Sequence, residues 1–289
     1  MKLLITGGSG LLGQYLNNQL SQQNDIFTIY NSNPGNCKKY NSGKVNILNY
    51  DELKNIFEIQ KPEVVIHTAA ITSTTPDKNI SSKLFYDLNV NATAKIAELC
   101  DLYKAKLIYT STDLVYAGYR GSMLKEDAKL IPISLYAETK LMGEVKIQQI
   151  FDNYIILRTA LLFGVGLNHS QNHFHKMLNA LKEKKRVNLF TDQYRTPLSL
   201  KEAARIISDL INKNIKSETI NFGGPERVSR FELGKRLCEL FNLDESLLSE
   251  ITMDDVPGLP KVEDVSMNTD KLKTLEINLK GLDKMILEI

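Results

Sequence analysis

The sequence carries little net charge, few cysteines and no long apolar run, and each shortage removes a class of function. Lys and Arg number 36 against 34 Asp and Glu, a formal charge of +2, so nothing draws the whole chain to nucleic acid or to an anionic membrane. Any phosphate it binds must be met locally. Cys37, Cys100 and Cys238 are far apart, odd in number and form no Cys-x-x-Cys pair, which argues against a disulfide framework and against a zinc site. Buried thiols in a reducing compartment are expected. No window of about eighteen residues is uninterruptedly apolar; even residues 154–165 are broken by Arg158 and by glycine. The opening Lys2-Leu3-Leu4-Ile5 meets glycines at once, which reads as a first strand rather than a signal peptide, and a cytoplasmic address follows by default. With 16 glycines, 8 prolines, no internal repeat and no low-complexity segment, long disorder is not expected.

What is present is an alternation. Short apolar runs (residues 3–6, 25–30, 64–69 and 106–111) are separated by longer amphipathic ones (residues 11–22, 51–60 and 84–103). In the last of these, Leu88, Ala92, Ile96, Leu99 and Tyr103 recur at helical spacing. Strands joined by helical crossovers run parallel, and right-handed crossovers put helices on both faces, so the fold class is α/β with a doubly wound, Rossmann-type sheet. Ligands of such sheets lie beyond the carboxyl ends of the strands. After a strand over residues 155–162 the rhythm loosens. We therefore expect a dinucleotide-binding domain over residues 1–160, and over 161–289 mainly a smaller substrate-binding lobe with some segments returning to the first domain. Residues 176–186, with Met177, Leu178 and Leu181 on one face and Lys182, Lys184, Lys185 and Arg186 elsewhere, read as a solvated surface helix.

The first strand runs into Thr6-Gly7-Gly8-Ser9-Gly10-Leu11-Leu12-Gly13. Gly7 permits a tight turn, Gly10 lets the backbone approach a pyrophosphate, Gly13 allows close helix packing, and the helix start offers free N–H groups. Ser9, Leu11 and Leu12 belong to the same expected cofactor turn. About twenty residues further on, where an acidic residue usually bonds the adenosine ribose, the chain has Tyr30-Asn31-Ser32-Asn33. No carboxylate repels a 2′-phosphate there, Asn31 and Ser32 supply donors, and Lys38 and Lys39 are near, so NADP(H) is somewhat favoured over NAD(H), although no arginine clamp is visible.

The second constellation is Tyr136-Ala137-Glu138-Thr139-Lys140, whose spacing of four puts phenol and ammonium on one helix face. Upstream lies a hydroxyl-rich strand end, Thr110-Ser111-Thr112-Asp113-Leu114-Val115-Tyr116. A phenol is a poor acid or base at neutral pH, but a nearby ammonium and a nicotinamide cation would stabilise its phenolate. Tyr136 would then exchange a proton with a carbinol or carbonyl oxygen, Thr112 would hydrogen-bond that oxygen, and Lys140 would also hold the nicotinamide ribose.

These residues resemble the extended branch of the short-chain dehydrogenase/reductases almost end to end: the glycine motif over residues 6–13, His67-Thr68-Ala69-Ala70, and the active-site motif over residues 136–140. Within that branch, Ser111-Thr112-Asp113-Leu114-Val115-Tyr116 is similar to the Ser-Thr-Asp-x-Val-Phe segment of dTDP-4-dehydrorhamnose reductases, and Asp192-Gln193-Tyr194-Arg195-Thr196-Pro197 and Gly223-Gly224-Pro225 agree with them. The resemblance implies Thr112, Tyr136 and Lys140 as the catalytic trio. It places Ala69, Ala70 and Ile71 along the cofactor, Asn89 near its nicotinamide end, Thr110 beside it, and Asn46 and Ile47 at the adenine, with Asn46 where the family often has Asp. Asp113, Val115 and Arg195 would meet the substrate, a nucleotide-activated deoxysugar whose keto group is reduced. The family's usual Gly-x-Pro-Thr after Asp-Gln is replaced here by Tyr194-Arg195-Thr196-Pro197. Related 4,6-dehydratases use a Thr-Asp-Glu run; Leu114 stands at the second carboxyl position and leaves that elimination without its base.

Two other readings stay open. One is an epimerase of the same superfamily, which retains its cofactor. The other is a non-catalytic, NADP-binding subunit similar to the regulatory subunit of methionine adenosyltransferase, whose Gln-Arg-Phe-Pro-Thr segment resembles residues 193–197. His169, His173 and His175 have neither a paired cysteine nor a nearby carboxylate, so no metal is expected and they read as polar pocket lining or surface. Arg195 and Arg227 are the basic residues expected nearest a sugar diphosphate, or else a lobe-to-domain salt bridge. A homo-oligomer is compatible with all of this.

Overall fold

The computed structural model describes residues 1–73, 80–258 and 260–289. Its first half follows the alternation of the sequence: β1 (Lys2–Thr6), α1 (Leu11–Leu20), β2 (Asp25–Tyr30), β3 (Ser42–Lys44), α2 (Tyr50–Gln60), β4 (Val64–His67), α3 (Ser82–Tyr86), α4 (Ala92–Tyr103), β5 (Lys106–Thr110), α5 (Leu135–Ile150) and β6 (Tyr154–Thr159). The second half mixes short strands with helices: β7 (Leu162–Phe163), α6 (His173–Lys182), β8 (Val187–Phe190), β9 (Tyr194–Arg195), β10 (Leu198–Ser199), α7 (Leu200–Ile211), β11 (Glu218–Phe222), β12 (Val228–Ser229), α8 (Arg230–Phe241), β13 (Leu248–Ile251), α9 (Asp270–Thr274) and α10 (Leu282–Leu287).

Seven strands form one sheet in the order β11-β6-β5-β4-β1-β2-β3, every neighbour parallel. Strand side chains alternate between faces, and both faces are covered. Leu3 and Ile5 point into a core shared with Leu12 and Leu16 of α1 and Ile207 of α7. Leu4 points the other way, against Leu53 of α2, Ile96 of α4 and Ile147 of α5. Strand order reverses between β1 and β4, and the crevice at such a switch point is where ligands of this architecture bind.

Two helices differ from expectation. The helix expected over residues 84–103 is interrupted by a π turn at Asp87–Asn91. The extra residue aims the Asn89 amide at the chain after β4, where it accepts from Ile71 N at 2.9 Å and donates to Ile71 O and to Thr139 Oγ1, each at 3.0 Å. The charged helix begins earlier than expected, where the Asn172 side chain caps it by accepting from His175 N, and ends earlier, because Lys184 takes a left-handed φ of 56° and the chain then turns into β8. Cys37, Cys100 and Cys238 are free and buried. Among the described residues no helix is long and apolar enough to cross a membrane.

Candidate active site

The carboxyl ends of β1, β4 and β5, the start of α5 and the lobe built after β6 enclose a cavity of about 1080 Å³. Pockets for small molecules typically span about 300–1,000 Å³, so this cavity is at the large end of that range.

One wall is the glycine turn. Gly7 has φ +68°, and a Cβ there would stand 2.7 Å from Ala69 N, so the turn lies directly on the chain leaving β4. Gly10 is the N-cap of α1 and has no side chain with which to cap it, leaving the first-turn N–H groups of Leu11 and Leu12 without intrahelical partners on the cavity wall. That cradle fits a dinucleotide pyrophosphate. Ala70 and Thr110 also line the cavity, the Thr110 hydroxyl donating to His67 O at 3.2 Å. Ser9 O accepts from Gln14 Nε2 at 3.0 Å, and the same amide donates to Leu167 O and Ser170 Oγ, tying the turn to the loop after β7. Asn31 and Ser32 are exposed at the end of β2, beside the turn. Asn46 is exposed with its Oδ1 accepting from Leu48 N at 3.1 Å, and Ile47 is buried. Asn89 is behind the wall, its amide fully used on Ile71 and Thr139.

Thr112, Tyr136 and Lys140 line the same cavity as the glycine turn. Thr112 Oγ1 donates to Asp113 Oδ1 at 3.2 Å and also bonds the Tyr136 phenol. Burial, with the Asp113 charge adding to it, pushes that phenol up to about 12 against the Thr112 bond. Lys140 is 2% exposed, its Nζ lies 4.0 Å from the Tyr109 ring centroid, and burial lowers it to about 7 with Glu144 opposing. Behind it, His67 sits between Thr6 Oγ1 (2.6 Å) and Thr93 Oγ1 (3.0 Å), kept neutral by burial and by Lys140.

Sequence spacing missed a buried support. Arg158 of β6 holds Glu144 of α5 at 2.9 Å, Ser111 Oγ donates to the same carboxylate, and Arg158 also reaches Tyr116 Oη at 3.0 Å. Glu144 follows Lys140 by one helical turn, the single local hint of its role. Breaking such a pair typically costs about 3–5 kcal/mol.

Three substrate expectations change. Val115 is fully buried in a cluster with Ala160, Val262 and Val265 and lies beneath the cavity, not on it. Arg195 lines the cavity, but Nη1 donates to Tyr194 O and Glu263 O, Nη2 donates to Val262 O, and Nε stands 3.7 Å from Asp113 Oδ2. Arg227 pairs with Asp264 at 2.7 Å and stacks on Tyr194, away from the cavity. Asp113 does face the cavity; burial raises its carboxyl, and its Oδ2 has no hydrogen bond. His173 lines the cavity, His175 Nδ1 accepts from Gly166 N at 3.1 Å, and His169 is exposed. Lys176 and Arg186, expected on a solvated helix, reach the cavity wall, as does Arg230.

Known proteins are similar to this chain in sequence and fold. The beta subunit of methionine adenosyltransferase 2 from Pongo abelii is 27% identical over 286 residues, 96% of this chain and 83% of that protein. A dTDP-4-dehydrorhamnose reductase from Aggregatibacter actinomycetemcomitans is 28% identical over 271 residues, 90% of this chain and 87% of that one. The crystal structure of dTDP-4-dehydrorhamnose reductase from Bacillus anthracis strain Ames in complex with NADP superposes with a TM-score of 0.87 at 22% identity, covering 99% of this chain and 97% of that one. A family model, the RmlD substrate binding domain, matches residues 1–283, and the chain belongs to that family.

Proposed function

We propose that the protein is an NAD(P)H-dependent reductase of a keto group on a nucleotide-activated deoxysugar, with dTDP-4-dehydrorhamnose as its substrate and NADPH preferred over NADH. The observation that carries this reading is that Thr112, Tyr136 and Lys140 line one cavity together with the glycine turn. The cofactor, when bound, supplies the hydride. Tyr136, protonated at neutral pH, donates its proton to the substrate's carbonyl oxygen, and Thr112 orients that oxygen through its hydroxyl. Lys140 holds the nicotinamide ribose, and the turn around Gly7, Gly10 and Gly13 receives the pyrophosphate. Asn31 and Ser32, with no carboxylate beside them, favour the 2′-phosphate. Among the described residues on the cavity wall five cations (Lys140, Lys176, Arg186, Arg195 and Arg230) face one carboxylate, Asp113, which suits two polyanionic ligands.

Absorbance of NADPH and of NADH is followed after addition of enzymatically generated dTDP-4-dehydrorhamnose. Wild type should oxidise NADPH faster, and Tyr136→Phe should lose on the order of a hundredfold or more while still binding cofactor. The relatives among methionine adenosyltransferase beta subunits favour a second reading, a regulatory subunit with a structural dinucleotide. Cofactor that binds but is never consumed, together with a purified methionine adenosyltransferase catalytic subunit captured by this protein, would replace the reductase reading with that one.

A further inference from the structure

Among the described residues five Lys and Arg side chains line the cavity, and their surroundings separate them. Lys140 is stacked on Tyr109, and Lys176 and Arg186 are exposed at the rim. Arg195, the basic residue of the Gln193-Tyr194-Arg195 segment, is locked: its two Nη atoms donate to three backbone carbonyls and its Nε turns to Asp113. A guanidinium so engaged cannot present a fork to a phosphate. Arg230 differs. It is the first residue of α8, partly buried on the same wall, and among the described residues no hydrogen bond or ion pair holds it. The start of a helix is the positive end of its dipole, which disfavours a cation, and Ser229 and Glu232 already cap it with bonds of 3.0 and 2.6 Å. Arg195 and Asp113 line the same cavity, and their charges repel and attract Arg230 respectively. A partly buried cation with no hydrogen bond of its own, repelled by a second cation, gains a partner when an anion arrives.

We propose that Arg230, and not Arg195, receives the substrate's anionic group, a phosphate oxygen of a nucleoside diphosphate next to the sugar; the substrate class rests on the reductase reading. Arg195 is a positioning residue, fixing Asp113 so that the unbonded Oδ2 accepts from a sugar hydroxyl.

The test is calorimetric titration of dTDP into NADPH-saturated protein, with wild type, Arg230→Met and Arg230→Lys. Arg230→Met should weaken dTDP by roughly tenfold to a hundredfold, the range of a charge-assisted hydrogen bond, and Arg230→Lys should recover part of it. NADPH affinity, set at the glycine turn, should stay within about twofold, which rules out misfolding as the cause. Unchanged dTDP affinity in Arg230→Met overturns the assignment. If wild type ignores dTDP but binds UDP or GDP in an Arg230-dependent way, the assignment holds and the dTDP-sugar reading falls. If dTDP-4-dehydrorhamnose is reduced and Arg230→Met leaves its KM unchanged, the reductase reading stands and the assignment falls. Binding of none of the three diphosphates in an Arg230-dependent way also overturns it.

Discussion

Lys140 shows how burial reshapes a residue whose position the sequence announces. Its ammonium is out of water and its pKa falls from the usual 10.5 to about 7. Between those values the unfolded chain binds more protons at this site than the folded protein, so the Lys140 contribution to stability rises with pH across about 7 to 10.5. Below about 7 the ammonium is charged in both states and the full cost of desolvating it is present. Lys140→Met removes that cost. Its melting temperature should exceed that of wild type at about pH 6.5, with the advantage shrinking by about pH 9; a difference flat across that range would show that the ammonium is not desolvated in the folded protein. Tyr136, Lys140 and the three glycines were readable because their spacing matches one helical turn or one strand-to-helix turn. Glu144 and Arg158 were not, because each finds its partner on another element, and Arg230 was not, because the cavity it lines is built from distant segments; no local period records either. Val115 was assigned from a motif alone, and a motif does not say which way a side chain turns after the 3-10 turn at Asp113–Val115.

At the scale of elements, α1 is seated on the glycine turn by the lack of a side chain. A Cβ on Gly13 would lie 2.2 Å from Gly7 O and 2.7 Å from Gly8 Cα, both backbone atoms that cannot rotate aside. Gly13→Ala must therefore push α1 off the turn. The expected cost is about 1–3 kcal/mol of stability, together with at least a tenfold weaker NADPH affinity measured by titration, because the first-turn N–H groups of Leu11 and Leu12 move with the helix. An alanine variant with wild-type affinity would mean that the turn does not bind the pyrophosphate. The order of strands and helices through β6 was largely legible, since each helical crossover shows its own period, but the short edge strand β3 (Ser42–Lys44), which carries no apolar run, was missed. The π turn at Asp87–Asn91 was not legible either: the apolar spacing of Leu88, Ala92 and Ile96 continues through it, and its cause is the long-range bond from Asn89 to Ile71. The early end of α6 was hidden likewise, since the left-handed Lys184 looks in sequence like one more lysine of a helix.

For the whole molecule the question is whether the lobe after residue 160 can stand or fall by itself. The core argues that it cannot. Leu12 and Leu16 of α1 share one apolar cluster with Ile206 and Ile207 of α7, Phe222 of β11 and Met285 of α10. β11 closes the sheet by pairing with β6 from Glu218↔Ile155 to Phe222↔Thr159, so a fragment ending at residue 160 would expose both the edge of β6 and the outer face of α1. Asp113 and Arg195 add a buried contact between the halves beside the cavity. Urea unfolding followed by circular dichroism and by tyrosine fluorescence, for which the chain has 12 tyrosines and no tryptophan, should give coincident single transitions. A fragment of residues 1–160 should show no cooperative transition. NADPH at a hundred times its Kd should stabilise the entire transition by about 2.7 kcal/mol. Because the lobe and the glycine turn rest on one core, both spectroscopic signals must move together; a second transition that NADPH leaves in place would mean that the lobe after residue 160 folds independently of the sheet.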